Sequence, residues 1–147
     1  MTDKISADDE MALSSGVSAF ETKEFPKAMQ LLSPMAEKGY ADAQYRIAIM
    51  IQNDLGWFKD KSKAFQWMKA AAEQGFDLAQ HGLGFMYMQG DCVEKDYAQA
   101  AHWFRLAAEK GLAGAQMTLG SLYESGQGVE KNLEAAQYWY NQAGMDS

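Results

Sequence analysis

The chain has 147 residues, 48% hydrophobic and 22% charged, a balance that fits one folded domain and excludes wholesale disorder. Its net charge of −7 opposes nonspecific nucleic-acid binding, which draws on clustered Lys and Arg, and favours a basic partner surface. A single cysteine excludes an intrachain disulfide, no apolar run reaches the ~20 residues of a membrane-spanning helix, and the opening MTDKISADDE lacks the pattern of an export signal, so the cytoplasm is the expected location.

In chain order, residues 1 to about 9 read as a mobile acidic lead-in, with Asp8, Asp9 and Glu10 as a solvated end. A short unit follows over about 10–39, in which Gly16, Ala19, Phe25 and Ala28 precede MQLLSPMAEKG. From Ala43 onward the chain repeats itself every 36 residues, giving units of about 40–75, 76–111 and 112–147. The matching columns include Ala43, Ala79 and Ala115; Ile47, Leu83 and Leu119; Ala48, Gly84 and Gly120; and Trp67, Trp103 and Trp139.

Each unit reads as two helices. In the first, apolar or small residues recur three or four apart, as at Ala79, Leu83 and Tyr87, which is one face of a 3.6-residue period. The second is expected to start after Asp60, Asp96 or Asn132, whose side chains accept an N-terminal amide. Gly39, Gly75 and Gly111 are placed to close the second helices in the left-handed conformation. The loop holding the only cysteine, QGDCVEKD, aligns with SGQGVEKN, so Cys92 falls in the column of Gly56 and Gly128 and reads as an incidental turn residue. Asp54 and Trp57 depart from the loop pattern of the later units.

The residues Ala79, Leu83, Gly84, Tyr87, Gly90, Val93, Asp96, Ala100, Trp103, Ala107, Ala108, Glu109 and Gly111 form a motif that resembles the Sel1-like repeat, a relative of the tetratricopeptide repeat. The resemblance runs from about Met11 to Gly144 and implies an all-α, right-handed α-solenoid of about four helix-turn-helix hairpins. The first is tetratricopeptide-like, because Gly16 to Ala28 spans 12 residues where Gly84 to Ala100 spans 16. Solenoids of this kind end in a polar outer face. This sequence instead stops about where its last second helix stops, so Tyr138, Trp139 and Tyr140 are expected to lie partly open and to support weak self-association through the C-terminal hairpin.

On a helical wheel, Leu78, His81, Phe85, Met88 and Gln89 share an arc distinct from the one that packs within the hairpin. In tetratricopeptide-like solenoids that arc lines the concave surface. The equivalent positions give a stripe of Leu13, Val17, Tyr45, Ile49, His81, Phe85, Met88 and Met117, edged by Gln52, Gln89 and Glu124. Tyr45, Phe85 and Met88 are expected to be its most accessible members. Such a stripe suits a protein or peptide, with methionine adapting its shape and the acidic rim steering a basic partner.

Chemistry is scarce. His81 and His102 fall on different helices without the spacing of a zinc site. Asp91 and Glu94 disfavour a thiolate at Cys92. Gly126-Gln127-Gly128 lacks the Lys-Ser/Thr of a phosphate loop. No catalytic residue, metal site or cofactor is therefore expected, and neither nucleic acid nor membrane as partner. The resemblance implies a non-catalytic adaptor or scaffold; the alternative is an immunity protein that neutralises a co-produced toxin, and a hydrolase is a weaker third. Cysteine-rich relatives described as binding or hydrolysing β-lactams carry paired cysteines, which this chain lacks.

Overall fold

The computed structural model describes residues 5–55 and 60–144. Among these residues are eight helices and no strand: α1 (Ala7–Glu21), α2 (Phe25–Glu37), α3 (Ala41–Gln52), α4 (Lys61–Glu73), α5 (Asp77–Gln89), α6 (Tyr97–Glu109), α7 (Ala113–Ser125) and α8 (Leu133–Gln142). Consecutive helices pair as hairpins, and the chain is an all-α helical-repeat solenoid, as the 36-residue period predicts.

Helix starts follow from side-chain chemistry. Asp60 accepts the amides of Ser62 and Lys63, Asp96 that of Gln99 and Asn132 that of Ala135, so α4, α6 and α8 begin where the sequence places them. At the N-terminus the sequence reading needs correction. The Ser6 hydroxyl accepts the Asp9 amide at 3.1 Å, which starts α1 at Ala7, so residues 7–9 are its first turn and not a lead-in. Asp9 is only partly open to solvent, because Lys38 Nζ donates to its carboxylate at 2.7 Å and Tyr40 Oη at 3.0 Å. Helix ends are equally regular. Gly39, Gly75 and Gly111 have φ of 97°, 91° and 92°. The Tyr40 amide reaches the Met35 carbonyl and the Gly39 amide that of Ala36, a Schellman arrangement that recurs at Leu112 and Gly111.

The chain forms two compact units, Met1–Gln74 with α1 to α4 and Gly75–Ser147 with α5 to α8. Within each hairpin a small residue on the first helix faces a large one on the second. A Cβ added at Gly16 would meet Leu32 at 2.5 Å, one at Gly84 the Phe104 ring at 2.9 Å, and one at Gly120 the Tyr140 ring at 2.8 Å. These partners stand in one column of the repeat, at 36-residue steps that also include the buried Met68. Phe104 is fully buried and centres the core of the second unit, among Ala100, Ala107, Leu119 and Trp139.

Successive hairpins inside a unit are also stitched by polar groups. The buried amide of Gln44 donates to the Ala36 carbonyl and that of Gln116 to the Ala108 carbonyl, both at 3.1 Å. Gln74 donates to the Gly39 carbonyl at 2.9 Å, and Lys110, its counterpart, to the Gly75 carbonyl. Each bond supplies a side-chain donor to a carbonyl near a helix end; the Ala36 and Ala108 carbonyls thereby accept a second bond beside that of the closing glycine amide.

Candidate functional site

The first helices of the hairpins carry the stripe, and each unit holds its own part. In the second unit that part lies on α5 and α7. His81 and Phe85, one turn apart, meet edge-on at 4.9 Å between ring centroids, and both rings pack edge-on against Phe104, at 5.7 and 5.1 Å. The stripe is thus the outer layer of the core and not a separate surface. A Cβ at Gly114 would lie 3.3 Å from His81 Nε2, so the absence of a side chain there lets α7 come close to the imidazole. Burial holds His81 below the usual imidazole pKa, which keeps the ring neutral over a wider range of pH.

Accessibility is distributed differently from expectation. Phe85 and Met88 are half-buried, both against the core. Met117, in the His81 column, is 44% exposed and Leu78 is 38% exposed, so these aliphatic residues and not the aromatics are the open part of the face. The rings of His81 and Phe85 reach back to Phe104, which covers one side of each. Gln89 and Glu124 border the face and are exposed. Glu124 accepts the Tyr140 hydroxyl at 2.8 Å, and burial with this carboxylate raises the phenol's pKa.

In the first unit Leu13 and Val17 on α1, and Tyr45, Ile49 and Gln52 on α3, are all half-buried. Tyr45 is therefore not among the most accessible residues either. The Gln52 carbonyl accepts from Lys61 Nζ at 2.9 Å. The wheel missed Arg46. Its guanidinium lies 5.0 Å from the Phe20 ring centroid and bonds Asp42 at 2.7 Å, so this part of the rim carries a cation beside its acids. The signal was present as the i, i+4 pair Asp42 and Arg46.

Among the described residues, no three His, Cys, Asp or Glu side chains converge as a metal ion requires, and no helix is long and apolar enough to cross a membrane. His102 is exposed and edge-on to Trp103. Cys92 is half-buried with Sγ 3.6 Å from an Asp91 carboxylate oxygen. Gly56, in its column, and Trp57 lie outside the described residues. At the C-terminal hairpin Trp139 is buried, 9% exposed, because the alanines of α6 make room for its indole. The expectation that it lies partly open is thus corrected; Tyr138 alone of the three aromatics is exposed, at 54%.

Known proteins share this architecture. The Sel1 repeat model matches residues 41–76, 77–112 and 113–146. A Sel1 repeat protein of Oxalobacter formigenes superposes with a TM-score of 0.84 at 35% identity, covering 89% of this chain and 54% of its own. A protective antigen of uropathogenic Escherichia coli strains with an SLR fold gives 0.86 at 35% identity, over 92% of this chain and 30% of that one. The chain thus spans about half of the first protein and under a third of the second. Helicobacter pylori cysteine rich protein B shares the fold at 24% identity, with a TM-score of 0.58 over 95% of this chain and 89% of its own. No curated protein matches the chain. With three matched repeats over most of its length and two solved relatives at 35% identity, the chain belongs to the Sel1 repeat family.

Proposed function

We propose that the chain is a non-catalytic interaction module that holds a partner protein or peptide on the first-helix faces, with the α5 and α7 face as the principal contact. The carrying observation is the exposure of Leu78 and Met117 beside half-buried His81 and Phe85, on helices whose other side is fully packed. Sel1 repeats in general serve protein-protein interaction, which supports the reading. Aromatics fixed by Phe104 give the face rigid area, while Met117 adapts to the shape laid on it. The net charge of −7 favours a basic partner.

Affinity capture from the native host with wild type and a Leu78→Glu, Met117→Glu variant tests this. Both side chains are exposed, so the variant is expected to keep its helical circular dichroism and to lose a partner that wild type retains. An unchanged set of captured proteins sinks the proposal. The same experiment separates scaffold from toxin inhibitor: one partner held near ~1 nM marks an inhibitor, several near ~1 μM a scaffold.

A further inference from the structure

The first unit has a cleft of about 160 Å³ on another surface, between α2 and α4 and floored by α3. Met29, Ile47 and Ile51, all buried, make its floor, the half-buried Trp67 a wall, and Ser33, Glu37 and Lys63 its mouth. The Ser33 hydroxyl is turned inward, donating to the Met29 carbonyl at 2.6 Å, so it does not fill the space.

The repeat supplies an internal template for the occupant. Two periods on, Ser33 becomes Arg105 and Ile51 becomes Tyr123. There the guanidinium lies 5.5 Å from the tyrosine ring centroid and donates to its hydroxyl, and Trp139, the counterpart of Trp67, is buried. In the second unit the chain therefore brings its own arginine to the position that Ser33 leaves short in the first. Glu37 keeps its carboxylate, as Glu109 does, and Trp67 offers an indole face. A volume of ~150 Å³ is enough for a planar six-membered ring, hence for a guanidinium group. Planar guanidinium suits a stack on indole with a carboxylate at its edge better than a compact ammonium does.

We propose that this cleft binds an arginine side chain of a partner polypeptide: its methylenes on Met29, Ile47 and Ile51, its guanidinium between Trp67 and Glu37. The inference presupposes a polypeptide partner, as above, but concerns a different surface, so it stands or falls apart from Leu78 and Met117.

The test titrates acetyl-Gly-Arg-Gly-amide into the full 15N-labelled chain and follows the Trp67 indole N–H resonance, assigned by its loss in Trp67→Phe. The lysine and citrulline peptides run alongside. A saturable shift with arginine is expected, with half-saturation on the order of 1 mM for a single residue. Citrulline, which lacks the charge, and lysine, which lacks the plane, should bind at least about fivefold more weakly. Glu37→Gln should weaken binding about as much and Lys63→Ala should tighten it, since Lys63 is the cation a bound guanidinium meets at the mouth. Ser33→Arg fills the cleft from within and should abolish the shift; the two mouth variants lie on exposed positions and decide the matter should Ser33→Arg fail to fold. Equal binding of arginine and citrulline, no saturation, or indifference to both mouth variants overturns the proposal. With Leu78→Glu, Met117→Glu the arginine titration should be unchanged.

Discussion

Cys92 holds a left-handed backbone, φ 69°, where the last repeat has Gly128 at φ 76°. A residue with a Cβ there gives up roughly 1 kcal/mol against glycine, so the loop keeps its shape and the side chain is accommodated. The two positions are nonetheless not interchangeable. A Cβ on Gly128 would collide with the Tyr97 carbonyl and the Ala98 amide, backbone atoms that cannot turn aside. Cys92→Gly is therefore expected to leave the denaturation midpoint nearly unchanged, relief of the strained φ being offset by the freer unfolded chain. Cys92→Val should cost about 1–2 kcal/mol more, since branching at Cβ suits this φ badly. Gly128→Ala should be worse than either. Urea titration ranks the three, and a Gly128→Ala variant as stable as wild type would contradict the contact.

At the scale of helices, the tie between α1 and the end of α2 is electrostatic. The Lys38 ammonium, hydrogen-bonded to Asp9 with help from the Tyr40 hydroxyl, holds the Asp9 carboxyl below its ordinary value of 3.8 and raises the lysine's own pKa. A carboxyl whose pKa is lowered by folding stabilises the fold above its unfolded pKa, and that contribution fades as pH falls through the folded value. Asp9→Asn should thus be less stable than wild type at pH 7, the gap closing below about pH 3.8, and it should shrink in high salt because the pair is near solvent. A gap independent of pH would mean that the carboxylate's charge contributes nothing. Helix boundaries were legible in the sequence because Asp60, Asp96 and Asn132, like the closing glycines, act locally on their own backbone. Asp9 was not, because its partners lie on other helices. Likewise a wheel assigns Phe85 and Met117 to one face, but only the neighbouring helix, with Phe104 beneath the one, decides which is covered.

Over the whole molecule, stability in a repeat protein is a sum over hairpins and their neighbours, and the second unit concentrates its share on one ring. Phe104 touches His81 and Phe85 and fills the space left by Gly84. Phe104→Ala should cost about 3–5 kcal/mol. Its loss of hydrogen-exchange protection should fall first on α5 to α8. The candidate face should lose partner binding in the same variant, since Phe85 and His81 then have no floor. Uniform loss of protection over all eight helices would show that Phe104 is not the local keystone of its unit.

The buried glutamines bear on modularity. Gln44 and Gln116 each add a second hydrogen bond to a carbonyl at the end of a helix that belongs to the hairpin before. A hairpin cut out and grafted elsewhere therefore carries away the second donor to its predecessor's carbonyl, which keeps only the bond from its own closing glycine amide. Anyone lengthening, shortening or recombining such arrays should treat the seam as falling after this glutamine, not at the glycine that ends the helix. A foreign helix joined at the glycine keeps that second bond only if it brings a buried amide of its own to the same spot.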